Sequence, residues 1–314
     1  MPTAERHADL VLEGGGVKGI GLVGAISVLE ESGYRFRRVA GTSAGALVGS
    51  LVAAGMSAAE MLAVMQELDY RRFEDAKGVA RVPFVGGLLG LAIDEGMHAG
   101  DHLRGFVADQ LRRHGVETYG DLREVDEGSS LAPHQRYKLI THAADVSRAR
   151  LLRLPWDYEP DFGLDPDTQS VANSVRASAS IPFFFRPVQL GHTTGAPSWL
   201  VDGGLLSNFP IDVFDRTDGE PPRWPTIGIK LSVRQPTGEI VHDIDGIVSL
   251  SEAMLGTLTS WHDRENANRP GVADRTIFVD TSGVSSTDFG IDAATQDELY
   301  RNGRAAAEAW LTAH

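Results

Sequence analysis

The stretch from Asp9 to Gly49 limits what this chain can fold into more than any other part of it. It reads as strand, glycine loop, helix, strand, serine turn, helix. The apolar run Asp9-Leu-Val-Leu-Glu13 leads into Gly14, Gly15 and Gly16. Val17 to Glu31 then repeats Ile20, Val23, Ile26 and Leu29 at threes, the core face of a helix that ends near Gly33. A second apolar segment, Tyr34 to Ala40, precedes Gly41-Thr42-Ser43-Ala44-Gly45, and the helix-prone run Ala46 to Ala54 follows. In a parallel sheet the glycine loop and the serine turn therefore open at the same edge.

Those two turns carry chemistry. A serine in G-x-S-x-G becomes an exposed nucleophile only on a sharp strand-to-helix turn, and this context supplies one. Gly41, Thr42, Ala44 and Gly45 form the elbow, where small residues let the backbone bend and the helix pack close. The first turn of a helix also favours developing negative charge. Three consecutive glycines cost backbone entropy in any regular element. They suit a loop whose amides point at an anion, which beside a nucleophilic serine is the oxyanion of acyl transfer. Taken alone, Gly14-x-Gly16-x-x-Gly19 also fits a tight turn or a dinucleotide site, and Ser43 also fits a helix cap. Further on, Leu200-Val-Asp202-Gly203-Gly204 sets an acid at the end of a short apolar strand; alone, that is a turn aspartate.

In this order the segments resemble the patatin-like phospholipases. That family pairs a GGGx[RK]G loop with G-x-S-x-G and a later D-G-[GA], matched here by Gly14 to Gly19, Gly41 to Gly45 and Asp202 to Gly204. Ala177-Ser178-Ala179-Ser180-Ile181-Pro182 and Asn208-Phe209-Pro210 resemble two further blocks. The resemblance spans about Asp9 to Pro210. It implies an α/β fold with a mostly parallel central sheet and helices on both faces, a three-layer sandwich. It implies a serine lipid acyl hydrolase of phospholipase A, lysophospholipase or esterase type, with a lipid or phospholipid ester as substrate and transient contact with a membrane surface. Ser43 would be the nucleophile and Asp202 its base, with no histidine between. The oxyanion hole would come from Gly14, Gly15, Gly16, Val17, Lys18 and Gly19, resting mainly on the amides of Gly15 and Gly16, with Val17. Gly203 and Gly204 complete the acid motif. Lys18 would pin the loop, add positive potential or form an ordinary salt bridge. Ser178 and Ser180 read as structural. A carboxylate with a pKa of about 3.9 is a feeble base, so burial is expected to raise that of Asp202. No cofactor or metal is implied.

Length alone, 314 residues, allows one domain or two. The reading is a single domain over 1–314, with a motif-bearing core at 9–210 and residues 211–314 completing the sheet and helical layers. With 29 basic and 43 acidic residues the net charge is −14, which argues against nucleic acid or an anionic membrane as the main partner, while leaving room for a local basic patch. The absence of cysteine excludes disulfides and thiolate metal sites. Met1 to His7 has no apolar leader pattern, so no secretion signal and a cytoplasmic location are expected. No motif speaks to oligomeric state.

Elsewhere, Ser57-Ala-Ala-Glu60 is a capping box opening a helix to about Leu68, with Met61, Leu62, Met65 and Leu68 on its buried face. Residues 79–99 hold an uncharged run too short to span a bilayer, either a buried hairpin or a mobile cap over the active site. A helix is expected from Gly100 to His114, and strands from Arg136 to His142 and Arg148 to Leu154. The acidic loop containing Asp157, Glu159, Asp161, Asp165 and Asp167 begins like a calcium loop. It has Phe162 where glycine belongs and Thr168 where glutamate belongs, so it reads as a solvated loop. Thr168 to Ser178 reads as a helix, Phe183 to Phe185 as core and Trp199 to Val201 as a strand. Arg216 to Pro225 reads as a surface loop, Thr226 to Ser232 and Thr276 to Asp280 as strands, Ile244 to Asn266 and Asp292 to Ala313 as helices.

Three rival readings make distinct demands. A Ser-His-Asp α/β-hydrolase would draw its base from late histidines such as His192, His242 or His262, with an acid limb near a pKa of about 6.5. A dinucleotide-binding protein needs an acid at the end of the second strand, which here ends in Ala40-Gly41. A non-catalytic nucleotide- or lipid-binding relative would leave Ser43 unreactive.

Overall fold

The computed structural model describes residues 5–68, 99–129, 131–182, 184–232, 253–254, 256–257 and 271–314. β1 (Arg6–Leu12) enters the glycine loop, and a 3₁₀ turn (Gly16–Gly19) leads into α1 (Ile20–Glu31). β2 (Tyr34–Thr42) turns at Ser43 into α2 (Ala44–Ala53), and α3 (Ala58–Glu67) follows. Next come α4 (Ala99–Arg113), β3 (Leu139–Asp145), β4 (Arg150–Leu154) and α5 (Val171–Ser178). β5 (Val188–Leu190), β6 (Ser198–Asp202), β7 (Thr226–Lys230), β8 (Thr276–Phe278) and α6 (Ala293–Ala313) complete the described elements.

All eight strands join one sheet in the order β5-β6-β3-β2-β1-β7-β8, with β4 beside β3. The pairs β3–β2, β2–β1, β1–β7 and β7–β8 are parallel; β3–β4, β3–β6 and β5–β6 are antiparallel. The sheet is thus mixed and mostly parallel. β1 from Ala8 onward, all of β3 and all of β7 are buried, as strands are when both faces of a sheet are covered.

Helix α1 departs from the one-faced pattern expected of it. Every residue from Ile20 to Leu29 is buried, because α1 also packs on α3 and α6. The crossing with α6 is close: a Cβ on Gly303 would lie 2.0 Å from the Gly21 carbonyl oxygen. At α3 the expected capping box is present, with Ser57 Oγ accepting the Glu60 N–H at 3.3 Å and Glu60 Oε2 accepting the Ser57 N–H at 2.9 Å.

Two other elements differ from expectation. β3 starts at Leu139 instead of Arg136, because Tyr137 forms an isolated bridge to Arg123 and the Lys138 N–H is drawn to the Leu122 carbonyl at 2.8 Å. The acidic loop is in part stapled by arginines, while Glu159 and Asp165 are exposed as expected. Asp161 pairs with Arg150 at 2.8 Å, Asp157 with Arg153 at 3.3 Å, and Asp167 takes Arg123 at 2.7 and 2.9 Å plus the Tyr137 hydroxyl at 2.7 Å. The apolar run within 79–98 and most of the helix expected at 244–266 lie outside the described residues. Among the described residues no helix is long and apolar enough to cross a membrane.

Candidate active site

Strand register brings the two candidate catalytic residues together. Thr42, the last residue of β2, pairs with His142 of β3; the next residue of β3, Ala143, pairs with Asp202, the last residue of β6. β4 occupies the other edge of β3 throughout residues 141–145. β6 therefore takes over the edge that β2 leaves, running the opposite way. The C-terminal ends of β2 and β6 point at each other, with Ser43 on one and Asp202 on the other.

Ser43 has φ +53° and ψ −119°, a left-handed backbone that a residue with a Cβ adopts at a cost. Its surroundings hold it there. Its carbonyl accepts the Ala46 and Leu47 N–H groups at 2.9 and 3.1 Å, starting α2, and its own N–H donates to Ser178 Oγ at 2.9 Å. Ser178 Oγ in turn donates to the His142 carbonyl at 2.6 Å. The elbow can sit this deep because Gly45 lacks a side chain: a Cβ there would be 2.3 Å from the Leu12 carbonyl oxygen.

The Ser43 side chain lies close enough to the Asp202 carboxyl to favour its ionised form. Asp202 is held by its N–H, which donates to the Ser180 carbonyl at 2.8 Å, and by Gly204, whose N–H donates to Oδ1 at 2.8 Å. Burial pushes the Asp202 carboxyl up to about 6, outweighing the Gly204 hydrogen bond and the nearby Ser43 side chain, which favour its ionised form. Gly203 lets the turn approach β3, since a Cβ would sit 2.3 Å from the His142 carbonyl oxygen.

In the glycine loop the amides divide into two sets. The Gly14 N–H donates to the Asn208 carbonyl at 3.1 Å, that of Val17 to the Ser286 carbonyl at 3.1 Å and that of Lys18 to Gly15 at 3.2 Å. Gly19, just before α1, packs toward Ala44 at the start of α2. Only the N–H groups of Gly15 and Gly16 in the tri-glycine run find no protein acceptor among the described residues. Asn208 Nδ2 also donates to the Gly14 carbonyl at 3.0 Å, so the loop is clamped on both sides of its peptide. Gly16 has φ +56°, and a Cβ there would fall 1.9 Å from the Ser286 carbonyl oxygen, so no other residue fits. Lys18 is partly buried, which holds its ammonium below the usual range while the Glu13 charge pulls it back up. Among the described residues no carboxylate lies within ion-pair distance of it. Glu13 pairs instead with Lys230 at 2.6 Å.

Ser43 and Gly16 open into a narrow slot of about 60 Å³ walled by Leu47, Met65, Leu103, Ile181 and Phe185. Ser178, Asn208 and Ser286 support the site without having been singled out by spacing; the first two lie in blocks of the resemblance, and Ser286 has no local signal at all. Among the described residues no histidine bonds Ser43. His192 stacks on Phe162 and contacts Ser198 at 3.3 Å, while His242 and His262 lie outside the described residues. His142 is fully buried beside the Gly41 carbonyl, at 3.5 Å, and burial pushes its ring down to about 4, so it is neutral.

Residues 10–215 match the family model described as patatin-like phospholipase. The chain belongs to that family. As a patatin-like phospholipase it is a lipid-ester hydrolase. This patatin-like chain is 35% identical over 306 residues to YqhO of Bacillus subtilis (strain 168), covering 97% of the chain and 98% of that protein. It is 24% identical over 213 residues to a protein named probable lipid hydrolase 463L, of Invertebrate iridescent virus 6, covering 66% of the chain and 63% of that protein. Its fold is similar to that of VipD from Legionella pneumophila, with a TM-score of 0.57 at 18% identity, over 99% of the chain and 68% of that structure.

Proposed function

We propose that this protein hydrolyses lipid carboxylic esters through a Ser43–Asp202 dyad, with the amides of Gly15 and Gly16 as the oxyanion hole. The observation that carries this reading is the register that brings Ser43, just past the end of β2, to Asp202, at the end of β6, where burial raises the carboxyl to about 6. Such a carboxylate is ionised at neutral pH yet far more basic than an aspartate in water. As Ser43 Oγ attacks the ester carbonyl, its proton passes to Asp202. The carbonyl electron pair moves to oxygen, and the two free glycine amides donate to it. Collapse of this intermediate breaks the ester C–O bond, and Asp202 returns the proton to the departing alcohol. Water, deprotonated by the same carboxylate, then releases the acid and restores Ser43. The apolar slot beside Ser43 suits the acyl chain of the substrate. A relative named as a probable lipid hydrolase supports the same substrate class.

The test is turnover of p-nitrophenyl esters and a panel of phospholipids, lysophospholipids and acylglycerols. Ser43→Ala and Asp202→Asn are expected to lose at least about a thousandfold in kcat while keeping the native circular dichroism spectrum. Near-normal turnover in either variant would overturn the assignment.

A further inference from the structure

The loop from Thr281 to Ile291, between β8 and α6, lies beyond residues 10–215 that match the family model, yet it reaches the candidate active site. Its middle sits on the glycine loop. The Ser286 carbonyl accepts the Val17 N–H at 3.1 Å and fills the space that a side chain on Gly16 would take. Three residues further on, Phe289 lines the slot into which Ser43 and Gly16 open.

The loop is tied down on both sides of that contact. Before it, Thr281 Oγ1 donates to the Leu231 carbonyl at 2.8 Å, just past the end of β7. After it, the Ile291 N–H donates to the Asp288 carbonyl at 3.2 Å, and Asp292 caps α6 by accepting the Thr295 N–H at 2.8 Å. Helix α6 packs on α1, the helix that leaves the glycine loop, while Val284 and Ile291 pack against the core. A segment held in this way presents Phe289 as a fixed wall. Its ring is buried and lies 4.8 Å from that of Phe184 at an interplanar angle of 33°, and Phe184 meets Phe185 edge to face at 4.8 Å. Among the described residues, Phe289 and Phe185 give the slot its aromatic side. Braced rings with two side-chain torsions each yield less to a ligand than Met65 on the same lining, whose unbranched thioether adapts.

A slot of about 60 Å³ that begins at the serine leaves little width beside the acyl carbons nearest the ester. We propose that Phe289 is a specificity-determining residue, whose ring bounds the slot there and selects straight acyl chains over chains branched next to the carbonyl. Its link to turnover rests on the hydrolase reading of Ser43; the shape of the slot does not. One methylene more or less in an apolar pocket changes selectivity by about 10- to 200-fold, so a fixed ring at this position has a measurable effect.

The experiment compares two acyl isomers, octanoyl and 2-propylpentanoyl, as p-nitrophenyl esters and as uncharged amides. The isomers differ in shape at nearly equal apolar area. The slower chemistry of a branched ester is common to every variant, so the ratio of kcat/KM, straight over branched, reads the slot. In Phe289→Ala that ratio is expected to fall about tenfold, with a smaller fall in Phe289→Leu, which leaves less of a cavity. Calorimetric titration with octanamide and 2-propylpentanamide is expected to show affinities shifting the same way. A lowered ratio supports the proposal whether or not the amides bind measurably. Unchanged ratios, including equal losses for both esters, would mark Phe289 as merely structural and overturn it. Where Phe289→Ala fails to fold by circular dichroism, Phe289→Leu decides. If the wild type cleaves neither ester, the hydrolase reading fails and the titrations alone decide: an isomer preference that Phe289→Leu relaxes supports the proposal, and no binding or no such change overturns it.

Discussion

Ser178 Oγ accepts the Ser43 N–H at 2.9 Å while donating to the His142 carbonyl at 2.6 Å, so one hydroxyl ties the elbow to β3. Ser178 is fully buried, and nothing else among the described residues satisfies that N–H. Ser178→Ala would leave the Ser43 N–H unpaired and remove the tie to the His142 carbonyl. We predict a loss of about 1–3 kcal/mol in urea unfolding and a fall in kcat at nearly constant KM. A variant with wild-type kcat would show that the bond is not needed to hold the elbow.

The position of Asp202 sets a pH dependence. Its carboxyl is raised to about 6, and the base form is the ionised one. Activity should therefore rise with pH through about 6 and level off above it. A histidine base, at about 6.5, would give nearly the same limb, so the position of the limb does not separate the two mechanisms. Variants do. His142→Asn should keep the limb in place, whereas Asp202→Asn should abolish turnover at every pH.

The same shift predicts that Asp202 weakens the fold at neutral pH. Its folded pKa, about 6, lies above the unfolded value of 3.8, so its contribution is most favourable below 3.8 and is lost as pH rises through 6. An asparagine side chain in its place does not titrate. Asp202→Asn should thus match the wild type near pH 3.8 and gain stability relative to it toward pH 7, by up to about 3 kcal/mol. Urea titrations at the two pH values check this; an equal difference at both would contradict it.

Helix α6 offers a test of packing apart from the chemistry. A Cβ on Gly303 would stand 2.0 Å from the Gly21 carbonyl oxygen, a backbone atom that cannot swing aside. Gly303→Ala should cost about 1–3 kcal/mol by prising α6 from α1. Differential scanning calorimetry reads this as a lowered Tm.

Much of this site is legible in the sequence because it is local. The unit from β1 to α2 declares itself through apolar runs broken by glycines, and the capping box at Ser57 and Glu60 needs only four residues. Non-local pairing is different. Nothing in Leu200 to Asp202 says that β6 runs antiparallel to β3 on the edge β2 vacates, yet that register makes Ser43 and Asp202 meet. β5 is three residues, two half-buried and one exposed, too short for any period. The acidic loop misleads for a related reason: Arg123 and Arg150, which neutralise Asp167 and Asp161, lie outside it. The engaged amide of Val17 depends on Ser286, far along the chain.

The most direct test of the central claim is labelling by a fluorophosphonate, followed by intact mass and peptide mapping. One adduct on Ser43 is predicted, forming at a rate that rises with pH through about 6 and slows by orders of magnitude in Asp202→Asn. An adduct on another serine, or equal labelling rates in wild type and Asp202→Asn, would contradict it.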